Sequence, residues 1–204
     1  MKERSVAIVV LAAGKATRMG EGGSHKLLAE FDGIPLVRRV ALAAGGAGAS
    51  SVIVVVGHRQ AEIRQALHGL PLLIVENPAY ESGMASSLKV GFASTDVDDT
   101  DGVLVMMADM PAISADHLDR LIAAFRDADV LSIVRSVADG QPGNPVILPG
   151  TLKDAIRRLE GDKGARGIVE TCGLPIIDVE FGDVARLDLD TPEAIVSTGG
   201  ILKG

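Results

Sequence analysis

Val6-Ala7-Ile8-Val9-Val10-Leu11 is an unbroken apolar, largely β-branched run that ends in the small residues Ala12-Ala13-Gly14. Apolar residues without alternation read as a strand buried on both faces, which is the signature of a parallel sheet covered by helices. The same pattern recurs at Val52 to Val56, Leu72 to Val75, Val103 to Met107, Val130 to Val134 and Ile176 to Phe181. Between these runs the apolar positions take helical spacing, as in Leu36, Val37, Val40, Ala41, Ala44 and in Leu118, Leu121, Ile122, Phe125. Strand and helix therefore alternate. An α/β fold follows, with a mostly parallel, Rossmann-like sheet, helices on both faces, and ligands at the carboxyl ends of the strands.

Local signals mark the joints. Ser114-Ala115-Asp116-His117 opens a helix beyond Pro111, and Asp190-Thr191-Pro192-Glu193 opens another with Pro in its first turn. Gly45-Gly46-Ala47-Gly48 closes the helix before the second strand, and Gly20-Glu21-Gly22-Gly23 reads as a loop. Between Asp139 and Pro149 the rhythm is broken by Gly140, Pro142, Gly143 and Pro145, so an acceptor-side lobe on the main sheet is expected there. With no linker, repeat or low-complexity tract, residues 1–204 are expected to form one domain.

Composition narrows the function. At 204 residues a chain buries roughly 70% of the surface it exposes when unfolded, enough to fold without metals or disulfides. The lone Cys172 has no partner for an internal disulfide, which suits a reducing compartment and a small buried side chain. The charged start and the short first apolar run fit neither a signal peptide nor a membrane span, so a cytoplasmic location is expected. A net charge of −7 argues against general nucleic-acid binding, and with aromatics at 2% and no Trp, base stacking is a poor binding principle. Backbone amides and a few fixed charges must recognise the ligand.

The stretch from Leu11 supplies both: Leu11-Ala12-Ala13-Gly14-Lys15-Ala16-Thr17-Arg18-Met19-Gly20, then Lys26-Leu27-Leu28. Small residues let a ligand approach the main-chain N–H groups, and Arg18 and Lys26 stand beside them to meet phosphate oxygens. The alternative is a tight strand-to-helix turn with solvated charges. Neither common glycine motif fits, because Gly14-Lys15 is followed by Ala16 and Gly20-Glu21-Gly22 has no Gly three residues later. Asp109 follows the strand Val103 to Met107 at its ligand end, as a metal-holding carboxylate or a turn residue before Pro111. A second acid should complete a metal site; Asp190 reads by itself as a helix N-cap, and Asp188, a weaker candidate, alternates with Leu189 on an expected strand. Ser86 and Ser87, after Gly83, either reach a base or ribose or cap a helix. None of the four histidines has triad or metal-ligand spacing.

Taken together, Leu11-Ala12-Ala13-Gly14, Arg18-Met19-Gly20 and Lys26-Leu27-Leu28 resemble the signature of nucleotidyltransferases of the molybdenum cofactor type, the molybdopterin cytidylyltransferases among the MobA-like NTP transferases. Further landmarks follow in that family's order: Asn77-Pro78, Glu81 to Leu88, Asp109-Met110-Pro111, Gly143-Asn144-Pro145, Gly161 to Arg166 and Asp188 to Pro192. Ala16, where Ser is common, and Ala108, where Gly often stands, depart from the pattern without removing a charge.

The resemblance implies a three-layer fold of the nucleotide-diphospho-sugar transferase type. It implies transfer of CMP from CTP to the terminal phosphate of molybdopterin with release of pyrophosphate, assisted by Mg²⁺ or Mn²⁺. Leu11, Ala12, Ala13, Gly14, Gly83, Ser86 and Ser87 are then expected at the nucleotide, with Arg18, Lys26 and Asp109 catalytic. Asp109 and Asp190 would hold the metal, and Asn144, Asp162 and Arg166 would face the acceptor. Relatives that use GTP tend to carry Gly where this chain has Ala13, which favours CTP. A molybdoenzyme or its chaperone is the expected downstream partner. The rivals are a guanylyl or sugar-phosphate nucleotidyltransferase, a non-catalytic cofactor carrier, and a regulatory nucleotide sensor. A phosphate nucleophile is already anionic, so alignment and charge neutralisation suffice without a general base.

Overall fold

The computed structural model describes residues 3–17, 25–94, 97, 99–161 and 164–202. The first run forms β1 (Val6–Ala12), with every residue buried. Its pleat divides it between two cores: Val6, Ile8, Val10 and Ala12 enter one, and Ala7, Val9 and Leu11 enter the other. A short antiparallel pair, β2 (Glu30–Phe31) and β3 (Ile34–Pro35), leads into α1 (Leu36–Gly45). There follow β4 (Ser51–Val56), α2 (Gln60–Ala66), β5 (Leu73–Glu76), α3 (Met84–Phe92), β6 (Gly102–Met107) and α4 (Ala115–Asp127). The second half contains β7 (Ile133–Ala138), β8 (Gln141–Pro149), α5 (Lys153–Arg157), α6 (Arg166–Thr171), β9 (Ile176–Glu180) and α7 (Pro192–Ser197).

Seven strands share one sheet in the order β5-β4-β1-β6-β8-β7-β9, and β8 alone runs antiparallel to its neighbours. Helices α1, α2, α4 and α7 pack on the face that receives Val6 and Ile8, and α3, α5 and α6 on the face that receives Ala7 and Val9. The expected three-layer, mostly parallel α/β fold is therefore observed. The chain leaves β1 for β4 and β5 on one side, then crosses back to β6 on the other. The carboxyl ends of β1 and β6 thus flank the switch point, where loops diverge and a crevice opens.

Three expectations require correction. Residues 139–149 are not a lobe: β7 and β8 form a hairpin in the central sheet, turned at Asp139 (φ 50°) and Gly140 (φ 72°). Two successive positive φ values make the tight Asp-Gly hairpin turn, and Val146 to Pro149 beyond it pair with β6. The prolines sit where that ladder is irregular, with a register shift between Arg135 and Val137. The strand expected from Val130 begins only at Ile133, Val130 being exposed. Asp188 lies on no strand and is exposed.

The helix starts follow their sequence signals. Ser114 caps α4 in a reciprocal box with His117: its hydroxyl accepts from the His117 amide, and its own amide donates to His117 Nδ1. Cys172 closes α6 and is only partly buried, against the core on the Ala7 face. No helix among the described residues is long and apolar enough to cross a membrane.

Candidate active site at the switch point

Three chain segments are stitched together by main-chain hydrogen bonds beyond the ends of β1 and β6. The Ala108 amide donates to Leu11 O at 3.1 Å, extending the ladder by one step, and the Leu189 amide donates to Asp109 O at 3.1 Å. The backbone alone therefore sets Asp109 and Asp190 side by side. Lys26 enters from the loop after β1, and its ammonium bonds both Asp109 Oδ2 and, at 2.7 Å, Asp190 Oδ1. Asp109 is 5% exposed, and its other oxygen, Oδ1, is buried with no partner among the described residues.

Burial pulls the Lys26 pKa down, but the Asp109 charge and hydrogen bonds to both carboxylates overturn that and hold it raised, so the side chain stays an ammonium. For Asp109 burial is the larger effect and lifts its pKa despite Lys26, with Asp188 and Asp190 adding like charge. Two carboxylates share one ammonium, an imbalance that a further cation would relieve.

The rival reading of Asp190 as the α7 cap fails on geometry. Thr191 is the N-cap, its hydroxyl accepting from the Ala194 amide at 3.2 Å, which leaves Asp190 to turn toward Lys26. The serines do not cap α3 either, since Gly83 holds the cap position. Gly83 has φ 103° and ψ 177°, a conformation that side chains rarely adopt. Ser86 Oγ donates to Gly83 O at 2.8 Å, and buried Asn77 donates from Nδ2 to Ser86 Oγ (2.7 Å) and Ser87 Oγ (3.0 Å).

Two cavities adjoin. One, of ≈ 320 Å³, is lined by Leu11, Ala13, Gly14, Gly83 and Ser87 together with Met84 and Met107. Ala12 points into the opposite core, and Ser86 is outside this lining. The other, of ≈ 280 Å³, is lined by Arg135, Asn144, Arg166 and again Met84, so one thioether borders both. Arg166 pairs with Glu170 at 2.9 Å, and Arg135 makes a two-pronged pair with Asp178 at 2.6 and 3.3 Å. The Lys26, Asp109 and Asp190 cluster lines neither cavity. Arg18 and Asp162 lie outside the described residues.

Sequence reasoning gave no role to His25 or Arg135, and left Asn77 and Met84 as landmarks without a role. Asn77 had one usable signal, an amide directly after a strand at the ligand edge of the sheet; the other three depend on long-range packing. Among the described residues no three His, Cys, Asp or Glu side chains converge as a metal cage. The partnerless Asp109 Oδ1 and its hard carboxylate neighbours suit instead a Mg²⁺-like ion that takes one or two protein carboxylates and draws its other ligands from phosphate and water.

Residues 8–176 match the MobA-like NTP transferase domain. The chain is 30% identical over 175 residues to the bifunctional protein GlmU of Leifsonia xyli subsp. xyli, covering 83% of itself but 36% of that protein's length. It is also 30% identical over 163 residues to nicotine blue oxidoreductase of Paenarthrobacter nicotinovorans, covering 78% of each. Among solved structures, Rv0371c of Mycobacterium tuberculosis superposes with a TM-score of 0.79 at 25% identity, over 95% of this chain and 97% of that one. With most of its length inside the matched region, the chain belongs to the MobA-like NTP transferase domain family.

Proposed function

We propose that this protein is a divalent-metal-dependent nucleotidyltransferase that moves CMP from CTP to the terminal phosphate of molybdopterin. An oxygen of the acceptor phosphate bonds to the α-phosphorus as the bond from that phosphorus to the bridging oxygen breaks, and pyrophosphate leaves. The observation that carries the reading is the Lys26 ammonium fixed between Asp109 and Asp190 at the switch point. Charge fixed there before the reaction stabilises charge that moves toward the leaving group without reorganisation.

Leu11, Ala13 and Gly14 would receive the nucleotide against their main chain, with Gly83 and the Asn77-held Ser87 across the cavity. Ala13 lines that cavity, and relatives that use GTP tend to carry Gly at this place, which supports a pyrimidine. Arg18 would share the triphosphate charge with Lys26. Asp109 and Asp190 would hold Mg²⁺, or Mn²⁺, which when bound neutralises phosphate oxygens and orients them. Asn144 and Arg166 would face the acceptor in the second cavity, together with Asp162, four positions before Arg166 in sequence. Met84, common to both cavities, would lie between the two substrates.

The test incubates the protein with Mg²⁺, molybdopterin and each nucleoside triphosphate, and measures pyrophosphate together with the mass of the pterin. A CMP adduct formed only with CTP is expected. A GMP adduct would place the chain in the guanylyl branch, and transfer only to a sugar phosphate would replace the acceptor. Binding without turnover would indicate a carrier. Redox turnover without pyrophosphate release would align it with the oxidoreductase of Paenarthrobacter nicotinovorans.

A further inference from the structure

The chemistry just proposed makes no use of His25, yet this ring is 3% exposed and stands directly before Lys26. Its Nδ1 accepts from the Leu27 amide at 3.3 Å, capping the 3-10 turn Lys26–Leu28. Nδ1 therefore carries the lone pair, and the proton of the neutral ring sits on Nε2, 3.2 Å from Gly14 O. One imidazole thus ties the turn after β1 to the turn that bears Lys26, across a sequence separation of eleven. The ring stacks on His58 with centroids 5.5 Å apart, and the His58 amide donates to Ala13 O at 3.1 Å. The platform beneath His25 is therefore anchored to the same turn that His25 holds.

We propose that His25 is a positioning residue: its Nε2–H tautomer locks the Lys26 turn to the Gly14 end of β1, so that the ammonium stands between Asp109 and Asp190 before any nucleotide arrives. The role assigned to Lys26 at the nucleotide rests on the function proposed above, whereas the clamp rests on the geometry alone. A lysine side chain has four flexible bonds, and only a fixed backbone can make the twofold carboxylate contact its resting state. Burial keeps the ring neutral, lowering its pKa to about 4, so the clamp holds at neutral pH.

Acetylation of the full-length protein with an amine-selective reagent, read by mass spectrometry at Lys26 and at the control Lys89, tests the clamp directly. Only the unprotonated amine reacts, so two carboxylates protect Lys26 in the wild type. In His25→Ala, Lys26 acetylation is expected to rise at least about tenfold with Lys89 unchanged, and His25→Gln, whose Nε2–H can still donate to Gly14 O, restores most of the protection. Unchanged protection in His25→Ala, or an equal rise at Lys89, overturns the proposal. Should His25→Ala fail to fold, His25→Asn, which keeps an acceptor for the Leu27 amide but is too short to reach Gly14 O, gives the same readout. A parallel CTP–Mg²⁺ titration is expected to show about a tenfold weaker Kd in His25→Ala. If Lys26→Ala binds CTP like the wild type, the nucleotide role of Lys26 fails while the acetylation result still decides the clamp.

Discussion

At Lys26, burial and charge pull in opposite directions, and the two carboxylates win. Lys26→Ala would leave the Asp109 carboxylate buried without its cation, at a cost on the order of 3 kcal/mol in unliganded stability before protonation of the acid relieves it. Turnover should fall about 10²- to 10³-fold, with a smaller change in KM, because a fixed donor opposite developing charge is lost; steady-state kinetics beside urea unfolding separate the two effects. His25 adds a pH dependence of definite sign. Its pKa drops from 6.5 to about 4 on folding, so the unfolded chain takes up the proton first. The stability this gives is present above pH 6.5 and is lost as pH falls toward 4, amounting to about 2 kcal/mol between pH 7 and pH 5. Urea midpoints should fall more steeply over that range in the wild type than in His25→Asn; parallel curves would contradict the burial argument.

At the scale of elements, α7 and β8 each carry a check. Thr191 caps α7 and so leaves Asp190 to Lys26. Thr191→Ala should cost about 1 kcal/mol in melting experiments and also weaken nucleotide binding, as Asp190 moves to serve the vacated cap; Thr191→Ser should do neither. Gly143 on β8 lies against the Ala185 backbone, where an added Cβ would come 2.4 Å from the carbonyl oxygen. Gly143→Ala should therefore destabilise by about 1–3 kcal/mol, read as a lower urea midpoint. β8 also shows where sequence reasoning stopped. Its prolines suggested a lobe, while Asp139-Gly140, the strongest hairpin signal in that stretch, went unused. By contrast β1, β4 and β6 were legible because strands buried on both faces leave nothing but apolar residues in sequence.

Across the whole molecule, the site exists because the topology brings the carboxyl ends of β1 and β6 together. Lys26, Asp109 and Asp190 are spread over most of the chain, and each had an ordinary local explanation as a solvated charge, a turn residue or a cap. Residue chemistry suggested them and resemblance to a family singled them out, but their contact is a property of the fold. His25 was out of reach for the same reason, since a buried donor is recognised by its partners and not by its neighbours in sequence. The central claim is that this acid–ammonium cluster receives a metal–nucleoside triphosphate. Thermal unfolding with Mg²⁺ and CTP at about 100 times Kd tests it most directly. Binding there adds about 2.7 kcal/mol, a rise of roughly 5–10 °C in Tm for a chain of this length. The wild type should show that rise, larger than with GTP, ATP or UTP, and Asp109→Asn should lose it; an equal rise in Asp109→Asn, or none with any triphosphate, would refute metal–nucleotide binding at this cluster.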